Sequence, residues 1–181
     1  MGVTEDGQQG EGSLEDLYQR PGFLLRRAHQ ISAALFLEEA AGLGLTTTQY
    51  GAMIALRARG SLDQVGIATL VGIDRSTTTL VVSKLAEAGY IERRDDAVDK
   101  RRKIITLSKA GHAMLARVAA PAQRARDRAL EPFSATDAAK FLALLERFVD
   151  AFNAQTRAPI RAETAEQRPR RIAKPAAAPP A

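Results

Sequence analysis

The densest run of hydrogen-bonding side chains in the chain is Arg75-Ser76-Thr77-Thr78-Thr79, directly after Asp74, with Ser83 and Lys84 following at helical spacing. A guanidinium and several short hydroxyls at the start of a helix suit the reading of base edges and phosphates. An arginine can take guanine O6 and N7 together, and each such bidentate pair discriminates by roughly 1–3 kcal/mol. A second charged run spans 93–103, with six basic and three acidic residues and its cations concentrated at Lys100-Arg101-Arg102-Lys103. The sequence gives enzyme chemistry little to work with. There is no cysteine, and the two histidines, His29 and His112, stand far apart without neighbouring metal ligands. The hydroxyl run has no evident general base, and no glycine-rich phosphate loop follows a strand. Glu38-Glu39 and Asp95-Asp96 are adjacent pairs that cannot face each other on a helix, so both read as solvated, and no enzyme, metal or cofactor is expected.

The elements that carry these residues follow from local signals. A short helical pattern over 63–71, a turn at Gly72 and a second helix opening at Asp74 are followed by two strands, 90–94 and 103–107, flanking the charged loop. Two helices about a glycine turn with a basic hairpin behind them make a winged helix-turn-helix, mainly α with a small β-hairpin wing. Taken singly, each part has a plainer explanation: the hydroxyl run as a capping cluster, the loop as a solvated hairpin tip. Their order along the chain favours a duplex-DNA reader.

The remainder frames that lobe. The chain has 181 residues, 45% hydrophobic, with net charge +5 and a pI near 9.9, a balance that favours polyanionic partners. Trp is absent and aromatics are 5%, which argues against a single-strand binder built on stacking platforms. Residues 1–19 read as a flexible leader without an apolar signal core, no run reaches membrane-spanning length, and the expected location is the cytoplasm. Pro21 opens a helix with Leu24, Ala28, Ile31 and Leu35 on one face and Leu25, Ser32 and Phe36 on another, the pattern of a helix enclosed by its neighbours. Thr46 and Gln49 form a capping box ahead of Tyr50, Met53, Ile54 and Leu56. Asp63 caps a helix with Val65, Ile67, Leu70 and Val71 toward the core; Asp74 caps one with Leu80, Val81, Leu85 and Ala88 inward. Ser108 caps a long helix through Met114, Leu115 and Val118, which Pro121 should kink or interrupt. Ser134 caps the last helix, whose stripe is Phe141, Leu144, Leu145, Phe148, Val149 and Phe152. So apolar a stripe needs a cover, either its own subunit's core or a second copy; the second is favoured, with Phe141, Leu145, Phe148 and Phe152 at a homodimer interface. Residues 155–181, with five of the eight prolines and six basic against two acidic residues, read as a disordered basic Ala/Pro tail.

Asp74-Arg75-Ser76-Thr77, the passage from Lys84-Leu85 to Gly89-Tyr90-Ile91, and above all 99–108 followed by Ala110-Gly111 resemble the MarR family of bacterial regulators. The resemblance covers roughly 20–154, with the winged helix-turn-helix at 45–107 and dimerisation helices at 20–44 and 108–154. It implies a homodimer on a pseudopalindromic operator, with Arg101 as the minor-groove arginine, Asp99 bracing it, and the terminal helices pairing the subunits. The expected DNA-binding set is Arg75, Ser76, Thr77, Thr78, Lys84, Arg94, Asp99, Arg101 and Arg102. Many relatives are repressors released by small aromatic or phenolic acids held beside the first helix. There Arg27 and His29 are the expected contacts for an aromatic carboxylate or related organic anion, since a guanidinium binds a carboxylate bidentately. Redox sensing through cysteine has no residue to use. Two rivals stay open: a ligand-independent architectural protein coating DNA, and a winged helix used only for protein contacts.

Overall fold

The structure is a computed structural model and describes residues 13–96 and 102–160. Its elements run α1 (Leu14–Gln19), α2 (Pro21–Glu39), α3 (Thr47–Arg59), β1 (Ser61–Leu62), α4 (Gln64–Val71), α5 (Arg75–Glu87), β2 (Ile91–Asp95), β3 (Lys103–Leu107), α6 (Lys109–Leu130) and α7 (Ala135–Phe152), closing on a 3-10 turn, Asn153–Gln155. Mainly helical with a small antiparallel sheet of order β1-β3-β2, it has the expected fold class.

The helix starts are set by side chains that satisfy the otherwise orphaned first-turn amides. Thr46 accepts from the Gln49 amide at 3.2 Å while Gln49 accepts from the Thr46 amide at 2.9 Å, the reciprocal box anticipated above. Asp63, Asp74, Ser108 and Ser134 cap α4, α5, α6 and α7 as expected. Ser13, unanticipated, caps α1, so Leu14–Gln19 is helical rather than part of a flexible leader. An Arg20–Asp16 ion pair and the Tyr18 ring 5.2 Å from Phe23 hold α1 to the start of α2.

One core joins the reading lobe to α6. Met53 and Leu56 of α3, Ile67 of α4, Val82 and Leu85 of α5, Ile105 of β3, and Leu115 and Val118 of α6 are all essentially inaccessible to water. Three inward assignments fail: Val65, Leu80 and Ala88 are exposed. The inner stripe of α5 is Thr78, Val81, Val82 and Leu85, phased so that a threonine, not Leu80, takes the first inward position. Gly111 sits where α6 leaves the sheet, and a Cβ there would lie 2.1 Å from the Tyr90 carbonyl oxygen. Only glycine permits this approach, which lets Ser108 Oγ donate to the Gly89 carbonyl at 2.6 Å.

α6 runs unbroken through Pro121, contrary to the expected interruption. The missing amide costs one helical hydrogen bond, but α6 is anchored on both sides of the proline, by Met114, Leu115 and Val118 before it and Ala125 after it. On either side of Ala125, Arg124 donates to Glu39 at 2.7 Å, and Arg128 donates to Glu39 at 2.9 Å and to Glu38 at 3.1 Å. Glu38-Glu39 is therefore not merely solvated: its carboxylates clasp α2 to α6, and the two arginines, Arg124 first, hold the Glu39 carboxyl below its ordinary value.

By contrast α7 buries none of its residues, and its stripe does not cover the subunit's own core. Phe148 and Phe152 are 44% and 46% exposed, and Leu144 and Val149 about half. The predicted inner face of α2 is likewise open at Leu24 and Ile31, beside Leu14, Leu17 and Tyr18 of α1. No single helix among the described residues is long and apolar enough to cross a membrane.

Candidate nucleic-acid interface

The site is built outward from Asp74. Its carboxylate accepts from the Thr77 amide at 2.9 Å, from Ser76 Oγ at 2.5 Å and from Thr77 Oγ1 at 2.9 Å. The Ser76 hydroxyl first, then the Thr77 amide and hydroxyl, hold this carboxyl well below the usual carboxylate range, so α5 starts from a fixed negative cap. Arg75 is exposed at the first helical position and, among the described residues, forms no ion pair. Ser76 is exposed beside it and Thr77 is half-buried.

Thr78 does not belong to the reading surface. It is 1% exposed, and its hydroxyl donates to the Asp74 carbonyl at 2.7 Å, so the expectation of a DNA contact there is corrected to a supporting role inside the lobe. The sequence carried the signal: Thr78, Val81, Val82 and Leu85 follow the i, i+3, i+4, i+7 spacing of an inward face once threonine is counted as able to bury. Thr79 instead reaches outward and donates to the Arg75 carbonyl at 3.0 Å and to Gln64 at 3.5 Å, bridging α5 to α4. Lys84 is exposed on α5 and pairs with Glu87 at 2.8 Å.

The base of the wing is tied to the helices. In the register Arg93 faces Ile105, Arg94 faces Ile104 and Asp95 faces Lys103, which also form an ion pair. Arg94 pairs with Glu92 at 2.9 Å and stays largely exposed. Arg102 donates from Nε at 3.0 Å and from Nη2 at 2.5 Å to one oxygen of Asp63, whose other oxygen caps α4 at the Gly66 amide. Arg93, which the sequence reading passed over, donates to the Val82 carbonyl of α5 at 2.8 Å. Nothing in composition singles it out from Arg94; strand alternation, placing neighbours on opposite faces, is the one available clue. Asp99 and Arg101 lie outside the described residues.

Among the described residues, Arg27 and His29 line none of the grooves described for this chain. Both are exposed on α2, and Arg27 donates to Gln30 at 2.9 Å while Arg26 lies over the Phe23 ring. A groove of about 1240 Å³ lies elsewhere, between the α4–α5 turn and the end of α7, with Gly72, Arg75, Phe148, Phe152 and Arg157 among its lining. Of the anticipated dimerisation residues, Phe148 and Phe152 border this groove with their rings 5.1 Å apart. Phe141 stacks on Phe133 with ring centres 5.0 Å apart, and Leu145 is half-buried.

Comparisons with known proteins fit this arrangement. Residues 45–103 match the family model described as MarR family, a span that includes the helix-turn-helix and most of the wing. Among solved structures, the PcaV transcriptional regulator of Streptomyces coelicolor, in complex with its natural ligand, is 34% identical, with a TM-score of 0.70 over 75% of this chain and 96% of that one. The transcriptional repressor CouR, bound to a 23-mer DNA duplex, is 28% identical, with a TM-score of 0.69 over 77% of this chain and 99% of that one. BpsR of Bordetella bronchiseptica, whose DNA binding is regulated by 6-hydroxynicotinic acid, is 25% identical, with a TM-score of 0.66 over 70% and 96%. With its wing braced on a recognition helix that presents Arg75 and Ser76, this chain belongs to the MarR family of DNA-binding transcriptional regulators.

Proposed function

We propose that the protein is a homodimeric repressor that grips a pseudopalindromic operator and releases it when a small aromatic or other organic anion binds. The observation that carries the reading is the exposed Arg75, without an ion pair among the described residues, beside Ser76 on a helix whose partner wing is fastened by Arg102 to Asp63. In this reading Arg75, Ser76 and Thr77 face the major groove, Lys84, Arg94 and Arg102 the backbone, and Arg101 with Asp99 the minor groove, where a narrow groove attracts arginine. A dimer is supported by the two uncovered apolar faces, Leu14, Leu17, Leu24 and Ile31 on α1–α2 and Leu144, Phe148, Val149 and Phe152 on α7. It would set two recognition helices about 10–10.5 base pairs apart. Repression is supported by the likeness to CouR, and release by an organic anion by the likeness to PcaV and BpsR. We assign the anion to the Arg27–His29 stretch of α2, where an exposed guanidinium is available to a carboxylate.

The test begins with genome-wide mapping of bound sites and footprinting on one of them. A short two-fold protected segment is expected; even coating without a boundary points to an architectural protein. A fluorescence-anisotropy titration of that operator duplex with a panel of aromatic carboxylates, 6-hydroxynicotinate included, should then show release. Arg27→Ala and His29→Ala should abolish release while leaving operator affinity within about twofold, since rim positions remote from a contact are nearly neutral. A chain that stays monomeric and ignores every duplex at low ionic strength overturns the proposal.

A further inference from the structure

The end of α7 turns back on the reading lobe. After the turn Asn153–Gln155, the Asn153 side chain closes a loop on Ile160: Nδ2 donates to the Ile160 carbonyl at 2.6 Å and Oδ1 accepts from the Ile160 amide at 2.8 Å. Thr156 Oγ1 donates to the Asn153 carbonyl at 2.9 Å inside the same loop. The loop is seated on the turn of the helix-turn-helix. A Cβ added at Gly72 would stand 2.9 Å from Ile160 Cγ1 and 3.7 Å from the Ala158 carbonyl oxygen. Gly72 has φ +70°, a left-handed conformation that already favours glycine, so the seat and the turn share one residue. Arg157 lies where this loop meets the start of α5, on the grooves it shares with Asp74 and Arg75.

We propose that residues 153–160 form a docked arm that adds Arg157 to the DNA-contacting surface, where it takes a backbone phosphate beside the bases faced by Arg75. The inference rests on the operator-binding reading above. Charge separates this role from that of a mask over the recognition helix. A segment that stood in for DNA on a cationic face would carry acids, whereas 153–160 contains a single charged residue, Arg157. Two guanidiniums brought to one edge repel unless an anion comes between them. The carboxylate that lines the same grooves, Asp74, is already taken by Ser76 and Thr77. Arg157 is exposed and, among the described residues, forms no ion pair. Arg75 and Ser76 stay exposed with the arm in place, so it borders the reading edge without covering it.

A phosphate contact is independent of sequence, so the probe is a 30-base-pair duplex of random sequence, with the mapped operator duplex as a second probe, and the full-length chain throughout. Arg157→Ala should weaken binding to both duplexes alike, by about three- to tenfold, and flatten the dependence of log K on log salt by about 0.9 per phosphate lost. Arg157→Lys should retain the slope. Ile160→Ser, which loosens the seat but keeps the charge, should lose affinity in the same direction, with thermal melts confirming that each variant is folded. Unchanged affinity and slope in Arg157→Ala, wild-type binding by Ile160→Ser, or tighter binding in either variant overturns the arm; the last outcome would make it a mask. Wild-type protein that binds both duplexes equally well fails the operator reading instead, and the arm is judged separately by the variants.

Discussion

Asp74, Ser76, Thr77 and Thr78 show how four polar neighbours divide their work. The donors were legible in the sequence because arginine and hydroxyls at a helix start are rare outside caps and binding faces; which hydroxyl points inward depended on the phase of the helix, which Leu80 obscured. The Thr78 hydroxyl serves the Asp74 carbonyl within the core. Thr78→Val should therefore lower stability by about 1 kcal/mol, the usual net worth of one internal hydrogen bond, with operator affinity unchanged. Ser76→Ala should do the reverse, weakening operator binding while the melting temperature moves little. Thermal melts and anisotropy titrations on the two variants distinguish these assignments. If Thr78→Val lost DNA affinity at full folding, the inward placement of that hydroxyl would be wrong.

Caps and glycines made the elements readable: Thr46, Asp63, Asp74, Ser108 and Ser134 each start a helix where the sequence placed one. What the sequence concealed were long-range terms. The two-residue strand β1 exists because Ser61 and Leu62 pair with Thr106 and Ile105, and no local pattern marks so short a segment. The continuity of α6 through Pro121 depends on packing to either side of the proline, and the clasp of Glu39 by Arg124 and Arg128 joins residues 85 and 89 positions apart. Gly111→Ala should cost about 3 kcal/mol, at the upper end for overpacking, because the Tyr90 carbonyl that it meets is backbone and cannot rotate aside. Chemical denaturation would show it. The clasp carries a pH signature. Because Glu39 in the folded chain titrates below its ordinary value of 4.5, the stability from the clasp is present above that pH and is lost as the pH falls through the lowered folded-state value. Arg124→Ala returns Glu39 toward its ordinary value and should move the acid-unfolding midpoint upward, as followed by circular dichroism.

At the scale of the whole molecule, an uncovered α7 and an open α1–α2 face agree with the pairing role that the family resemblance implies for both terminal regions, although the residues alone pointed only to α7. The periodicity of α2 suggested a buried helix, and only the fold shows that one of its faces, with Leu24 and Ile31, is left without a cover inside its own chain. Leu144→Asp combined with Val149→Asp should yield a folded monomer by analytical ultracentrifugation and reduce operator affinity by about 100-fold or more, the usual penalty for losing a linked second site. An intact dimer would move the interface off α7.

The ties from Arg102 to Asp63 and from Arg93 to the Val82 carbonyl reach across the lobe, joining the sheet to α4 and to α5. With the base of the hairpin and the helices cross-braced, each lobe of the proposed dimer would act as one jaw of a caliper, its wing base and its helix moving together. An inducer of the kind proposed would then alter only the gap between jaws. Operators with one base pair inserted between half-sites should regain, in the induced state, part of the binding that the native spacing loses.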